Sequence, residues 1–327
     1  MQYIFKRAGL YGLAALIALT INFFIPRLAP GDPASAALAR MGTRVDDSAL
    51  ESLRAAYGLT DQSLLQEFWQ YITGIFRGDL GLSFSRFPAT VESVIGDTLG
   101  WSILLAGTAL LISYCLGTLL GIVVAWYRGT LLDRVLPPAL LFIGAFPYFF
   151  FALLLVYFVG VRWRLLPIGQ AYSGTTPGMN LPFIQDLAVH MILPVSTIVI
   201  ITLGSWVLNM RNAMVTTLGE DYLVLAEAKG LAPRTVMVRH AARNALLPSV
   251  TLLGGMIGGV VGGQILTEIV FSYPGVGLTL VQAVSAHDYP LIQGLFLVIT
   301  LVVLVSNFLV DILYTVLDPR ARVQGIQ

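Results

Sequence analysis

The 327-residue chain has few of the groups that carry catalysis or bind metals. It contains one cysteine, Cys115, and three histidines, His190, His240 and His287, which lie far apart along the sequence. A single cysteine excludes an internal disulfide, and the separated histidines lack the spacing of a zinc or haem site. No G-x-x-x-x-G-K-[ST], G-x-S-x-G or H-E-x-x-H motif occurs. The sequence therefore predicts neither an enzyme nor a bound cofactor in this chain.

Charge is also scarce, since only 11% of the residues are charged while 57% are hydrophobic. Soluble domains carry roughly 25% charged residues. A net charge of +1 gives no support for nucleic-acid binding. Apolar segments long enough to cross a hydrocarbon core of about 30 Å occur near 9–29, 99–126, 135–160, 189–210, 246–270 and 291–316. We therefore predict an all-α membrane protein with six transmembrane helices.

The distribution of basic residues predicts the orientation of these helices. If the N-terminus is inside, the inner segments collect both lysines, Lys6 and Lys229, and the positive-inside rule places both termini in the cytoplasm. The first apolar segment exceeds the roughly 7 to 15 residues of a signal-peptide core, so we expect it to be retained. The predicted organisation is a first transmembrane helix (1–30), an extracytoplasmic loop (31–98), a five-helix core (99–316) with a cytoplasmic loop (211–247), and a cytoplasmic tail (317–327).

A charged segment interrupts the apolar sequence between the fourth and fifth predicted spans. Glu220 to Lys229 is predicted to form a helix with acidic residues first and a lysine last, matching the helix dipole. Gly230 is expected to end it in the left-handed conformation, and Pro233 to start a second helix running toward Leu247-Pro248. The candidate functional residues of this segment are Glu220, Asp221, Ala226, Glu227, Ala228, Lys229, Gly230 and Pro233.

Two features inside the predicted spans are further candidates. Gly254, Gly258 and Gly262 recur every four residues, which favours close packing of another helix. That packing is either static or part of a sliding interface between subunits. Asn307 and Asp311 share one helical face, and such groups are costly in a membrane. They form either a structural hydrogen-bond network or part of a pore or gate.

Several motifs, in order, give the chain a resemblance to a known family. They are Leu28-Ala-Pro-Gly-Asp-Pro33, Gly78-Asp-Leu-Gly81, the 220–250 segment, Glu268-Ile-Val-Phe-Ser-Tyr-Pro-Gly-Val-Gly277, Asp288-Tyr-Pro-Leu-Ile-Gln-Gly294 and Asp318-Pro-Arg320. With them the chain resembles the permease subunits of ATP-binding-cassette (ABC) importers, in the dipeptide, oligopeptide and nickel branch. The resemblance implies a type I importer transmembrane domain in the bacterial inner membrane.

The resemblance also implies partners. These are a second permease subunit, two ATPase subunits that hold ATP and magnesium, an extracytoplasmic substrate-binding protein and the lipid membrane, with no nucleic acid. Ala226, Ala228 and Gly230 match the small residues of the family's "EAA" motif, which docks on the ATPase and passes its movement to the spans. The chain departs from that motif at Glu227, where relatives often have arginine, and at Val224, where the leading glutamate is absent.

The outer loop is the predicted extracytoplasmic subdomain. Residues 50–57 and 64–72 have apolar side chains at helical spacing, with Gly58 and Gly74 as expected stops. These helices either pack on the outer ends of the spans or receive the binding protein, and the two roles are compatible.

The resemblance to the dipeptide, oligopeptide and nickel branch makes di- and oligopeptides the expected cargo, with oligosaccharides or nickel chelates as alternatives. A self-sufficient secondary transporter is a different class. The chain shows no inverted repeat of the kind found in many such transporters.

Overall fold

The computed structural model describes residues 2–28, 63–174, 177–178, 180–257 and 264–317. Within these ranges the regular structure is helical, and one isolated β-bridge joins Leu82 and Thr90. The prediction of an all-α fold is thus confirmed. The α-helices are α1 (Gln2–Leu28), α2 (Leu64–Arg77), α3 (Val91–Trp126), α4 (Leu131–Gly144), α5 (Tyr148–Leu155), α6 (Leu181–Thr217), α7 (Asp221–Ala228), α8 (Pro233–Thr235), α9 (Arg243–Ile257), α10 (Ile265–Val270), α11 (Val276–Ala286) and α12 (Tyr289–Leu317).

Four helices in the described part of the chain are long and apolar enough to cross a membrane. They cover Arg7–Ile25, Val91–Trp126, Leu181–Thr217 and Tyr289–Ile312. The bent pair of helices Leu131–Gly144 and Tyr148–Arg162 adds a fifth candidate span if the two together cross the membrane once. The remaining predicted span, 246–270, includes residues 258–263, which lie outside the described residues. The count of six therefore stays a prediction.

The third predicted span is not one straight helix. Helix α4 ends at Gly144, α5 begins at Tyr148, and the two directions differ by 93°. Pro147 supplies the cause, because proline has no N–H to donate and disfavours helical backbone in the residue before it. Beyond α5 the chain continues as a π-helix over Val156–Arg162.

The described chain divides into two compact units, and the first comprises Met1–Ser102 and Pro274–Phe308. In this unit the Arg27 guanidinium lies 2.9 Å from the Glu67 carboxylate, which ties α1 to α2. The Asn22 amide donates to the Tyr71 hydroxyl at 3.0 Å and to the Gln293 carbonyl at 2.7 Å. Burial raises the pKa of the Tyr71 phenol, against the opposing effects of Asn22 and Arg27, so the phenol stays neutral near pH 7.

Helix α2 is the second of the two predicted outer-loop helices. It ends at Arg77, followed by Gly78 with φ of +74°, so the expected stop at Gly74 was wrong. The Gly74 carbonyl instead accepts from the Asp79 N–H at 3.0 Å, which closes the turn after the helix. The helix predicted over 50–57 and its stop at Gly58 lie outside the described residues.

A buried carboxylate organises the turn between α11 and α12. Asp288 is fully buried, and its Oδ2 accepts from the Ser83 hydroxyl at 2.6 Å, the Ser85 hydroxyl at 2.7 Å and the Ser85 N–H at 2.8 Å. Its Oδ1 accepts from the Leu291 N–H at 3.2 Å, at the start of α12. One side chain thus holds the 83–85 segment against the α11–α12 turn.

The second unit comprises Ile103–Tyr273 and Leu309–Gln327. Helices α4 and α6 approach so closely that a Cβ on Gly204 would lie 2.8 Å from the Leu140 carbonyl carbon. An Asp133–Arg211 ion pair with contacts of 2.7 and 3.0 Å joins the same two helices.

Candidate functional site

The charged segment forms a helical hairpin, residues 220–235, which we call the 220–235 hairpin. Its first helix, α7, covers Asp221–Ala228, with Glu220 and Lys229 flanking it. Gly230 has φ of +75°, and its N–H donates to the Glu227 carbonyl at 2.8 Å. The predicted helix and its glycine stop are therefore present.

The second half of the hairpin continues into a long helical segment. Pro233 lies in the first turn of α8, as expected, and the backbone remains helical through the π-helix Val236–Ala242 into α9. Pro248 lies inside α9 rather than at its end. A continuous helical backbone therefore links the hairpin to the apolar sequence that follows.

The hairpin is fixed to the rest of its unit by a buried apolar face. Leu223 and Ala226 lie three residues apart on α7, and both are buried with Val236. They belong to one core cluster with Ala125, Met210, Met214, Ala241, Ala242 and Ala245. The cluster thus joins α7 to the ends of α3 and α6, and the Asn244 amide adds a 2.6 Å hydrogen bond to the Tyr222 hydroxyl. Burial of a leucine side chain contributes about 1.5–3 kcal/mol, so this attachment is firm.

The opposite face of the hairpin is exposed and carries apolar side chains. Val224 is 62% and Leu225 is 56% exposed, and Leu231 is exposed as well. Seven of the predicted residues lie on the exposed surface: Glu220, Asp221, Glu227, Ala228, Lys229, Gly230 and Pro233. Ala226 differs because it is buried against the chain's own core. Exposed apolar groups beside charged ones are a common feature of protein interaction surfaces.

Sequence reasoning singled out the polar and small residues of the hairpin and passed over its apolar ones. Leu223 is the main buried anchor, and Leu225 and Leu231 are exposed near the turn. The spacing of Leu223 and Ala226 was the available signal for a buried face. Which other leucines are exposed depends on the helices packed nearby, and this information is tertiary.

The structure describes only some of the other candidate residues. Gly254 is buried in α9, whereas Gly258 and Gly262 lie outside the described residues. Asn307 and Asp311 are both half-buried and lie four residues apart on α12, as predicted. In the part of the chain that the structure describes, no group of three or more His, Cys, Asp or Glu side chains is placed to hold a metal ion.

Comparisons with known proteins give the family. Residues 117–323 match the family described as binding-protein-dependent transport system inner membrane component. A Brucella suis biovar 1 protein named as a peptide permease is 38% identical over 315 residues, covering 96% of this chain and 97% of its own length. The dipeptide transport system permease protein DppB of Escherichia coli K12 is 33% identical over 341 residues, covering 98% of this chain and 99% of its own length. The di/tripeptide transport system permease protein DppB of Pseudomonas aeruginosa is 33% identical over 350 residues, covering 99% of each chain.

These matches span the hairpin and nearly the whole chain. They account for the apolar helices and for the type I importer fold. The chain belongs to the binding-protein-dependent transport system inner membrane component family, as a multi-pass permease subunit of an ABC importer in the bacterial inner membrane.

Proposed function

We propose that this chain forms, with a second permease subunit, the path by which an importer carries di- and oligopeptides into the cell. The proposal rests on the hairpin, which is anchored on one face and exposed on the other. Two cytoplasmic ATPase subunits supply the energy, and an extracytoplasmic binding protein delivers the cargo. Because ATP and magnesium are held by the ATPases, this chain itself carries no cofactor.

The hairpin is the part that receives the movement of an ATPase. The exposed Val224, Leu225, Ala228 and Leu231 fit an apolar groove on that partner, and Glu227 and Lys229 supply charges at its edge. Leu223 and Ala226 pass the movement on, because they are packed against the ends of α3 and α6. Close-packed interiors transmit displacement rather than absorb it. Ala226 is thus an anchor of the lever, while Ala228 and Gly230 face the partner.

The remaining assignments complete the proposal. The six spans place both termini and the 211–247 loop in the cytoplasm, with the 31–98 loop outside. Gly254, Gly258 and Gly262 allow a close helix contact, and Asn307 and Asp311 line the path or its gate. Glu220, Asp221 and Pro233 set the ends of the two hairpin helices.

Peptides are the cargo that the relatives support best. The Escherichia coli and Pseudomonas aeruginosa relatives are named as dipeptide and di/tripeptide permeases, and each aligns with this chain over almost its full length. Dedicated nickel coordination would need clustered histidine or thiolate ligands, which the sequence does not offer. Oligosaccharide import is the alternative that the experiment must separate.

Uptake by cells lacking this chain tests the proposal. Such cells are expected to lose import of labelled di- and oligopeptides and to resist toxic peptide analogues, and the restored wild-type gene is expected to reverse both effects. Retained peptide import together with lost growth on cello- or xylo-oligosaccharides, or lost nickel accumulation, would overturn the peptide assignment while leaving the importer assignment in place.

A further inference from the structure

A cavity of about 440 Å³ lies in the second unit, where the third predicted span breaks. The break itself, from Gly144 to Tyr148, forms one side of the cavity, and a face of α6 forms another. Leu252 and Met256 of α9 close a further side. The volume falls within the roughly 300–1,000 Å³ typical of sites for small ligands.

The backbone that breaks the span forms part of the cavity lining, as a water-filled cavity at membrane depth allows. Ala145, Phe146 and Pro147 interrupt the helix in the middle of an apolar segment. Backbone that leaves the helix at membrane depth is tolerated only where it is buried in protein or lines a water-filled cavity. This non-helical turn lines the cavity directly.

The helices α4 and α6 beside the cavity are packed tightly against each other. A Cβ on Gly144 would lie 2.7 Å from the Ile201 carbonyl oxygen, so α4 meets α6 backbone to backbone just before the break. A Cβ on Gly204 would likewise meet the backbone of Leu140 and Leu141. Side chains on the following turn of α6 are therefore held at a fixed distance from the break.

A polar stripe on α6 faces the cavity. Thr202, Ser205, Trp206 and Asn209 are spaced as i, i+3, i+4 and i+7, which places them on one side of the helix. The Asn209 Oδ1 accepts from the Ser249 hydroxyl at 3.2 Å. Ser205 is exposed. Hydroxyl and amide groups on one face of a membrane helix are costly unless they meet a polar partner. The Thr202 hydroxyl already has two, the Ile198 carbonyl and the Ser113 hydroxyl, each at 2.8 Å.

The chemistry of the lining selects the class of ligand. It combines hydroxyl and amide groups with aromatic rings, and none of the described residues that line it has an acidic or basic side chain. Such a wall matches the neutral N–H and C=O groups of a peptide main chain, together with varied apolar side chains. It offers no counter-charge for a metal ion.

We propose that this cavity is a cargo-contact site of the permease, in which Ser205 and Asn209 hydrogen-bond the peptide main chain and Tyr148 contacts the side chains. The site rests on the proposed peptide import. Because its contacts go to groups that all peptides share, it accepts many sequences and holds each of them weakly.

Protection of an introduced thiol tests the site directly. In a Cys115→Ala background, Ser205→Cys is placed in the full importer complex in liposomes and labelled with a water-soluble thiol reagent. Saturating dipeptide is expected to slow labelling about tenfold, since an occupied site excludes the reagent. Asn212→Cys is the control, because it is exposed on the same helix outside the cavity, and its labelling should not respond to peptide.

A second pair of variants separates ligand contact from structure. Asn209→Leu is expected to reduce peptide uptake about tenfold, the effect of losing one hydrogen bond. Ser249→Ala removes the same Asn209–Ser249 bond from its other end and should leave uptake near the wild-type rate.

The outcomes separate this inference from the proposed function. Normal peptide import with no protection of Ser205→Cys would overturn the cavity as a cargo site and leave the importer intact. Protection by a cello-oligosaccharide but not by peptide would overturn the peptide chemistry. Loss of uptake in both Asn209→Leu and Ser249→Ala would assign Asn209 a structural role and refute its contact with cargo.

Discussion

At the residue scale, Gly230 sets the direction in which the chain leaves α7. Its φ of +75° lies in the left-handed region, while no atom of the described residues would obstruct a Cβ placed there. The constraint is therefore conformational rather than steric crowding. Left-handed backbone costs an ordinary L-residue roughly 1–2 kcal/mol, and β-branched residues are the least tolerant.

Gly230→Val is accordingly expected to displace the exposed face of the hairpin and abolish transport or assembly with the ATPases, while membrane insertion stays normal. Co-purification of the ATPases and peptide uptake measure the effect. Gly230→Asn is the matched control, since asparagine enters the left-handed region more readily, and it should retain most activity. Normal uptake by Gly230→Val would refute the lever role of the hairpin.

Asp288 is a second residue on which a whole segment depends. Four hydrogen bonds converge on its buried carboxylate, two of them from serine hydroxyls. An amide in the same place presents an NH₂ group where an oxygen must accept, so at least one donor loses its partner. Hydrogen bonds to charged groups contribute about 1.5–3 kcal/mol each.

Asp288→Asn is expected to loosen the 83–90 segment, which exposes Arg86 to trypsin at a higher rate. The rate of cleavage after Arg86 in proteoliposomes open to the enzyme reports this change. Asp97→Asn is the control, because Asp97 is exposed. Equal cleavage rates in the two variants would contradict the bracing role.

At the element scale, the contact between α4 and α6 depends on glycine. A Cβ atom added to Gly204 would lie less than 3 Å from backbone atoms of Leu140 and Leu141. Backbone cannot move aside as a flexible side chain does. Overpacking of this kind costs about 1–3 kcal/mol.

Gly204→Ala is therefore expected to lower the thermal unfolding temperature of the purified complex and to widen the gap between α4 and α6. Gly107→Ala on α3 is the control. In the part of the chain that the structure describes, nothing lies within 4 Å of a Cβ at that position, and alanine favours the helix by up to about 1 kcal/mol. A Gly204→Ala variant as stable as the wild type would show that α4 and α6 separate freely.

The elements also show where the sequence was a sufficient guide and where it was not. The glycine stop at Gly230 and the proline start at Pro233 follow from local backbone chemistry, and both are present. The end of α2 depended on a turn that reaches back from Asp79, which local spacing did not reveal. The 93° bend after Gly144 was not predicted from the apolar run, which reads as one continuous span.

At the scale of the whole molecule, the proposed topology follows from charge distribution. A reporter fused after position 322, or a cysteine probe at position 129, is expected to report the cytoplasm. Probes at positions 45 and 175 should report the outside, because both lysines fall on the inner segments and acidic residues outnumber the arginines on the outer side. Labelling with a membrane-impermeant thiol reagent in a Cys115→Ala background makes the measurement. An outside signal at position 129 would break the six-span arrangement.

The sequence by itself determined the class of this protein. Long apolar segments, scarce charge and an asymmetric distribution of lysine specify a polytopic membrane protein, since hydropathy reads each of them directly. The importer permease followed from the resemblance of the ordered motifs to a known family. Only the tertiary structure decided which hairpin residues face inward, because Ala226 and Ala228 have the same chemistry and differ solely in what packs on them. It also decided that Thr202, Ser205 and Asn209 line a cavity. Their helical spacing can be seen in the sequence. The opposite side of the cavity is the break between α4 and α5, and its position depends on how those helices pack.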